Sequence, residues 1–150
     1  MDWKALGAEQ VPFRQDRIGN VLFEFFTNSG SISVEAWRST RQCKVTVFSG
    51  GIRRRMEFPL DDDQWWMLIN PVAYSGFWKW AKRYSSGPDP HCMSWRLSIL
   101  TDGAWFYSSG DGCCPEGMMP MLKGIVDFAE ATQCLNPGPT GKFLSQFTDG

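Results

Sequence analysis

The sequence predicts an α+β fold in which helices cover one face of an antiparallel sheet. Short segments alternate apolar and polar residues with a period of two, turn signals join these segments locally, and later segments show helical periodicity. The predicted order is ββββ-α(α)-ββ-α, with about six strands in hairpins and two or three helices. At 150 residues with 43% hydrophobic residues, the chain has the size and composition of one domain.

Four strands are predicted in the first part of the chain, arranged as two hairpins. Each is rich in β-branched or aromatic residues and is bounded by turn residues. The predicted strands are residues 19–27, 31–36, 44–48 and 52–58. In the last of them, alternation divides the consecutive arginines Arg53, Arg54 and Arg55 between the two faces. This division favours a solvated edge strand over a basic groove for single-stranded nucleic acid.

A helix is predicted to begin at residues 59–63, because acidic residues favour a helix N-terminus through capping and the helix dipole. Its apolar stripe consists of Trp65, Leu68 and Ile69. Pro71 is expected to stop or kink this helix. Residues 76–84 are predicted to form another helical turn or two.

The second half contains one further hairpin and a last helix. Strands are predicted at residues 94–99 and 105–107, joined by Asp102-Gly103, the strongest short hairpin signal in the chain. Pro115 suits a first helical turn, and an apolar stripe continues to about Thr132. We expect one domain over residues 1–150, with a core at about 19–133 and peripheral segments at 1–17 and 136–150.

The composition limits the classes of partner. Lys and Arg total 15 against 16 Asp and Glu, so the chain lacks the basic surplus that is typical of nucleic-acid binders. No nucleic-acid partner is expected. The five cysteines are an odd number, which favours reduced thiols over a secreted disulfide framework. No apolar run has the length of a signal peptide core or a membrane span. A cytoplasmic protein with no membrane partner is expected.

The cysteines and the single histidine provide the sharpest hypothesis for an enzyme. Cys113 or Cys114, placed before a helix, would act as a nucleophile with His91 as its base. Together with Cys92, the same residues have the ligand types of a zinc site. However, adjacent cysteines ligate one metal poorly and the chain has no C-x-x-C, so no metal is expected.

Two other segments are candidates for binding sites. The adjacent aspartates Asp61, Asp62 and Asp63 point in different directions on a helix, which favours capping over metal binding. An acidic patch for a basic partner is the alternative. The glycines of residues 110–117 precede a helix but match neither the P-loop nor the dinucleotide-binding pattern, which favours a tight turn. No cofactor is expected.

The order of motifs in the second half carries a resemblance. Trp80-x-x-x-Tyr84 is followed by Trp95-x-Leu97-x-Ile99, and a glycine-containing loop then leads to Pro115 and the last helix. This pattern resembles a group of small bacterial immunity-type proteins over roughly residues 20–130. The chain departs from the pattern in the loop, where it lacks an asparagine and has cysteines at the place of an aromatic residue. The resemblance implies toxin neutralisation and no catalytic residues.

The favoured function is therefore that of a bacterial immunity-type protein that occludes the active site of a cognate toxin or effector domain. The chain contains eight Trp, and Trp, Tyr and Arg are enriched at interface hot spots. Trp65, Trp80 and Trp95 are expected in the core. The tryptophans that fall off the main apolar stripes are candidates for an exposed patch: Trp37, Trp66, Trp78 and Trp105. The candidate partner-binding residues are Trp37, Arg53, Arg55, Asp62, Trp66, Trp78 and Trp105.

Two alternatives remain open from the sequence. One is the thiol-dependent enzyme that uses Cys113 or Cys114 with His91. The other is a phage or plasmid accessory protein that inhibits a host enzyme through the same kind of contact. A monomer or a weak homodimer is expected in each case.

Overall fold

One seven-stranded sheet organises the described residues, 17–27, 30–85 and 94–132, of the computed structural model. The strands are β1 (Ile18–Phe26), β2 (Gly30–Trp37), β3 (Gln42–Ser49), β4 (Ile52–Pro59), β5 (Arg83–Ser85), β6 (Ser94–Thr101) and β7 (Ala104–Asp111). Their order across the sheet is β4-β3-β2-β1-β6-β7-β5. All neighbours are antiparallel except β5, which pairs parallel to β7. The predicted α+β class is confirmed.

Two helices, α1 (Asp62–Ala73) and α2 (Met118–Ala131), cover one face of the sheet. Alternate strand residues are buried there, because a pleated strand directs successive side chains to opposite faces. The rings of Phe58 on β4 and Phe128 on α2 stack at a centroid distance of 6.4 Å. Trp65, Trp80 and Trp95 are buried in this core, as the sequence predicts.

The start of α1 follows from its sequence. Asp61 is the N-cap: its side chain accepts a hydrogen bond from the backbone N–H of Gln64 at 2.8 Å, and the Gln64 side chain accepts one from the N–H of Asp61 at 3.0 Å. The capping role predicted for the aspartates is confirmed at Asp61. Pro71 lies inside α1 rather than at its end, and the helix continues to Ala73. Pro71 has no backbone N–H to donate, but only two residues of α1 follow it, so the proline costs the helix little.

The prediction of a second helical segment over residues 76–84 is mostly wrong. One 3₁₀ turn forms at Phe77–Lys79, and the chain then extends into β5. Two hydrogen bonds hold the extended part: the Ser108 hydroxyl donates to the Ala81 carbonyl at 2.6 Å, and the Ser109 N–H donates to the Lys82 carbonyl at 3.0 Å. Pairing with the edge of β7 therefore overrides the local helical pattern.

The turn between β6 and β7 confirms the Asp102-Gly103 prediction. Both residues have positive φ, 52° and 78°, as the two central residues of a type I′ turn require. The closing strands pair from Thr101 with Ala104 to Ser94 with Asp111. This register decides which β7 side chains face away from the helices.

Candidate functional site

The second face of the sheet, called the open face here, consists of the strand side chains that alternate with the core residues. Neither of the two described helices packs on it, because both lie over the core face. Its residues are mostly half-buried or exposed. Large side chains on such a face contact solvent, so the open face is the candidate binding surface.

Three aromatic residues, Trp37, Trp105 and Tyr107, meet on the open face and form the aromatic patch. Their exposed fractions are 40%, 43% and 57%. The rings of Trp37 and Trp105 contact edge to face with centroids 6.4 Å apart. The rings of Trp105 and Tyr107 stack at 6.0 Å with an interplanar angle of 14°. The patch is thus a set of rings that order one another while keeping much of their surface in water.

Strand register explains why these rings meet. Trp37 ends β2 and is paired with Asn20 on β1, Asn20 with Leu100 on β6, and Leu100 with Trp105 on β7. The two tryptophans therefore occupy one row across four strands. Asn20 lies between them and is only 2% exposed, and its side-chain amide donates to the Ala36 carbonyl at 2.9 Å. The buried amide of Asn20, between the two tryptophans in this row, is therefore hydrogen-bonded.

Charged side chains border the aromatic patch on the side of β3 and β4. The indole N–H of Trp37 donates to a Glu35 carboxylate oxygen at 3.0 Å, which fixes the ring orientation. Glu35 is paired across the strands with Lys44, and Lys44 with Glu57 at an N···O distance of 3.9 Å. Exposed pairs of this kind add little stability, so the border contributes charge more than rigidity.

The structure places the candidate partner-binding residues in different regions. Trp37 and Trp105 come together in the aromatic patch, and Arg53 and Arg55 lie on the same open face at β4. Asp62 lies apart from them, in the first turn of α1, and pairs with Arg41.

Trp66 and Trp78 lie outside the aromatic patch, and their role in partner binding stays a prediction. Both are half-buried and pack against the core, Trp66 on α1 and Trp78 on the 3₁₀ turn. The ring of Trp78 contacts that of Phe77 edge to face at 5.5 Å. A helical stripe read from a few residues underestimates how far a large indole ring reaches toward the core.

Tyr107 also belongs to the aromatic patch, although it is not among the residues predicted from the sequence to bind a partner. It lies two residues after Trp105 on the predicted return strand, so period-two alternation places both on one face. The two-residue spacing from Trp105 is thus the sequence signal that indicates an exposed Tyr107.

A separate cleft of about 570 Å³ lies beside the N-terminal end of α2. Aromatic rings and prolines dominate its lining, with one basic and one acidic side chain. The lining side chains with rings or charges are Tyr74, Trp78, Lys79, Trp80, Tyr84, Pro115, Glu116 and Pro120. Trp78 therefore faces this cleft rather than the aromatic patch.

The residues of the enzyme hypothesis are only partly within the described chain. Cys113 and Cys114 are half-buried in the segment between β7 and α2. The carbonyl of Cys113 accepts a hydrogen bond from the Trp95 indole N–H at 2.8 Å, which ties this segment to the core. His91 and Cys92 lie outside the described residues. The thiol-dependent enzyme therefore stays a prediction.

Within the described ranges, no three His, Cys, Asp or Glu side chains are grouped so as to hold a metal ion. Neither described helix has the length and apolar character needed to cross a membrane. The sequence matches no protein-family model and no curated protein.

Proposed function

We propose that this chain is a bacterial immunity-type protein that binds a toxin or effector domain and blocks its active site sterically. The aromatic patch is the observation that carries the proposal. Trp and Tyr bury a large area on binding at a small entropic cost, because each has only two side-chain torsions. Rings already packed against one another lose still less freedom.

The surroundings of the aromatic patch suit a protein partner. Interface hot spots are typically aromatic or Arg residues at the centre, with a polar border that excludes water. Here the rings of Trp37, Trp105 and Tyr107 would form the centre, and the charged side chains on β3 and β4 would form one border. A sheet face of this kind can cover the mouth of an active site without entering it.

The test is binding of the tagged full chain to the toxin or effector domain encoded by a neighbouring reading frame. We expect nanomolar affinity for the unmodified chain, measured by calorimetry. Trp105→Ala is expected to weaken binding by about 30-fold or more, which corresponds to a hot-spot loss of about 2 kcal/mol.

Met67→Ala is the matched control for Trp105→Ala. Met67 is 41% exposed, close to the value for Trp105, but lies on α1 rather than on the open face. Its substitution is expected to leave the affinity within about twofold. Equal effects of the two substitutions, or capture of no partner by the folded chain, would contradict the proposal. Capture of a host enzyme instead would support the phage or plasmid inhibitor with the same contact surface.

A further inference from the structure

The edge formed by β4 is a second surface for recognition. β4 is the outermost strand of the sheet and pairs only with β3 among the described strands. An outermost strand leaves alternate backbone N–H and C=O groups directed away from the sheet. We propose that this edge binds an extended acidic segment of the partner as an added strand. The inference rests on the proposed function, because it names the chemistry of one part of that partner.

Backbone geometry identifies the groups that would pair. The two-residue Gly50-Gly51 turn has φ of 61° and 78° and joins β3 to β4, so Ser49 and Ile52 form the closing pair. Hydrogen-bonded and non-hydrogen-bonded pairs alternate from there. The backbone groups of Arg53, Arg55 and Glu57 therefore point outward.

The charge of β3 and β4 indicates which kind of strand would pair with this edge. β3 and β4 together carry four basic side chains, Lys44, Arg53, Arg54 and Arg55, but Glu57 is their single carboxylate. Glu57 approaches both Lys44, at 3.9 Å, and Arg55, at 3.6 Å. This local excess contrasts with the net charge of −1 for the whole chain. Basic residues on an edge disfavour pairing with ordinary strands and favour one with acidic side chains.

The two faces of β4 specify an alternating pattern in that strand. Arg53 and Arg55 lie on the open face, whereas Met56 and Phe58 lie on the core face and are half-buried. An added strand would therefore have acidic residues opposite the arginines and apolar residues that cover Met56 and Phe58. The exposed Ile52, at 66%, lies on the same face at the turn end, with Arg54 between it and Met56.

The probe is a capped, fluorescein-labelled octapeptide of alternating Glu and Val, titrated with the full chain at low salt. Micromolar binding is expected, and the corresponding Lys/Val peptide is expected to bind at least tenfold more weakly. In the double variant Arg53→Glu/Arg55→Glu, this preference should reverse. The control Lys82→Glu/Lys123→Glu changes the net charge equally at exposed sites away from β4 and should retain the original preference. Circular dichroism verifies the fold of each variant.

Two N-methylated forms of the Glu/Val peptide separate strand addition from simple charge attraction, and they need no protein variant. Methylation of alternate amides blocks one edge of an extended strand, and shifting it by one residue blocks the other. We expect one form to lose binding and the other to keep it.

Three results would overturn the proposal: equal binding of both methylated forms, no binding of the Glu/Val peptide, and a dimer of this chain that the double variant abolishes. The last result would assign the edge to a second copy. If the peptide binds as expected while Trp105→Ala leaves partner capture unchanged, the proposed function of the aromatic patch fails and strand addition at β4 stands.

Discussion

Trp95 connects several parts of the described chain. Its ring contacts those of Trp80 at 5.7 Å and Tyr84 at 5.9 Å, and its indole N–H donates to the Cys113 carbonyl. Gly110, its partner on β7, makes this arrangement possible. A Cβ at residue 110 would lie 2.5 Å from the Trp95 indole nitrogen and 2.8 Å from the Cys113 carbonyl oxygen.

Gly110→Ala is therefore expected to destabilise the fold. Both atoms that the new methyl group meets are held in place, one in a buried ring and one in the backbone, so overpacking costs about 1–3 kcal/mol. Urea unfolding followed by Trp fluorescence measures the effect. Gly19→Ala is the control: its Cβ would meet only a Leu100 methyl group at 3.8 Å, and a change below about 0.5 kcal/mol is expected. A similar stability for both variants would refute this account of Gly110.

Sequence patterns predict the position of a residue best where strand alternation is strict. Alternation and stripe position correctly place Trp95 inside and Trp37 and Trp105 outside. Trp66 and Trp78 lie in short helical segments, where the direction of a side chain depends on packing against the rest of the fold. Their burial could not be derived from periodicity alone.

At the scale of elements, β5 shows how tertiary contacts decide between two local structures. The segment from Gly76 to β5 has aromatic residues at helical spacing, yet Trp80 adopts an extended backbone with ψ of 144°. The buried hydroxyl of Ser108 and the N–H of Ser109 supply bonds that a helix here would not use. These partners come from β7, so local sequence does not reveal them.

Ser108→Ala is expected to loosen β5 without unfolding the sheet. The substitution removes the 2.6 Å hydrogen bond to the Ala81 carbonyl, a loss of about 1 kcal/mol. The Ser109 amide, which donates to Lys82, should then exchange with solvent about fivefold faster in hydrogen-exchange measurements. Ser98→Ala, on the open face of β6, should leave this amide unchanged. Unaltered exchange in Ser108→Ala would show that the hydroxyl does not hold β5.

For the whole molecule, the sequence predicts the hairpins but not how they join. Turn signals establish that β3 pairs with β4 and β6 with β7, since these contacts are local. Nothing in the residue pattern indicates that β1 lies between β2 and β6. The aromatic patch depends on that pairing, because it alone brings Trp37 and Trp105 into one row. The members Trp37 and Trp105 were predictable as exposed rings, whereas their contact was not.

The central position of β1 is also expected to slow folding. Pairing Phe26 with Ser94 requires the chain to close a loop that contains β2 to β5 and α1. The entropy of this closure is lost before the core contacts compensate for it, whereas each hairpin closes a short loop. Refolding monitored by stopped-flow Trp fluorescence is therefore expected on a scale of roughly milliseconds to seconds. Complete refolding within microseconds would show that this loop closure does not limit the rate of folding.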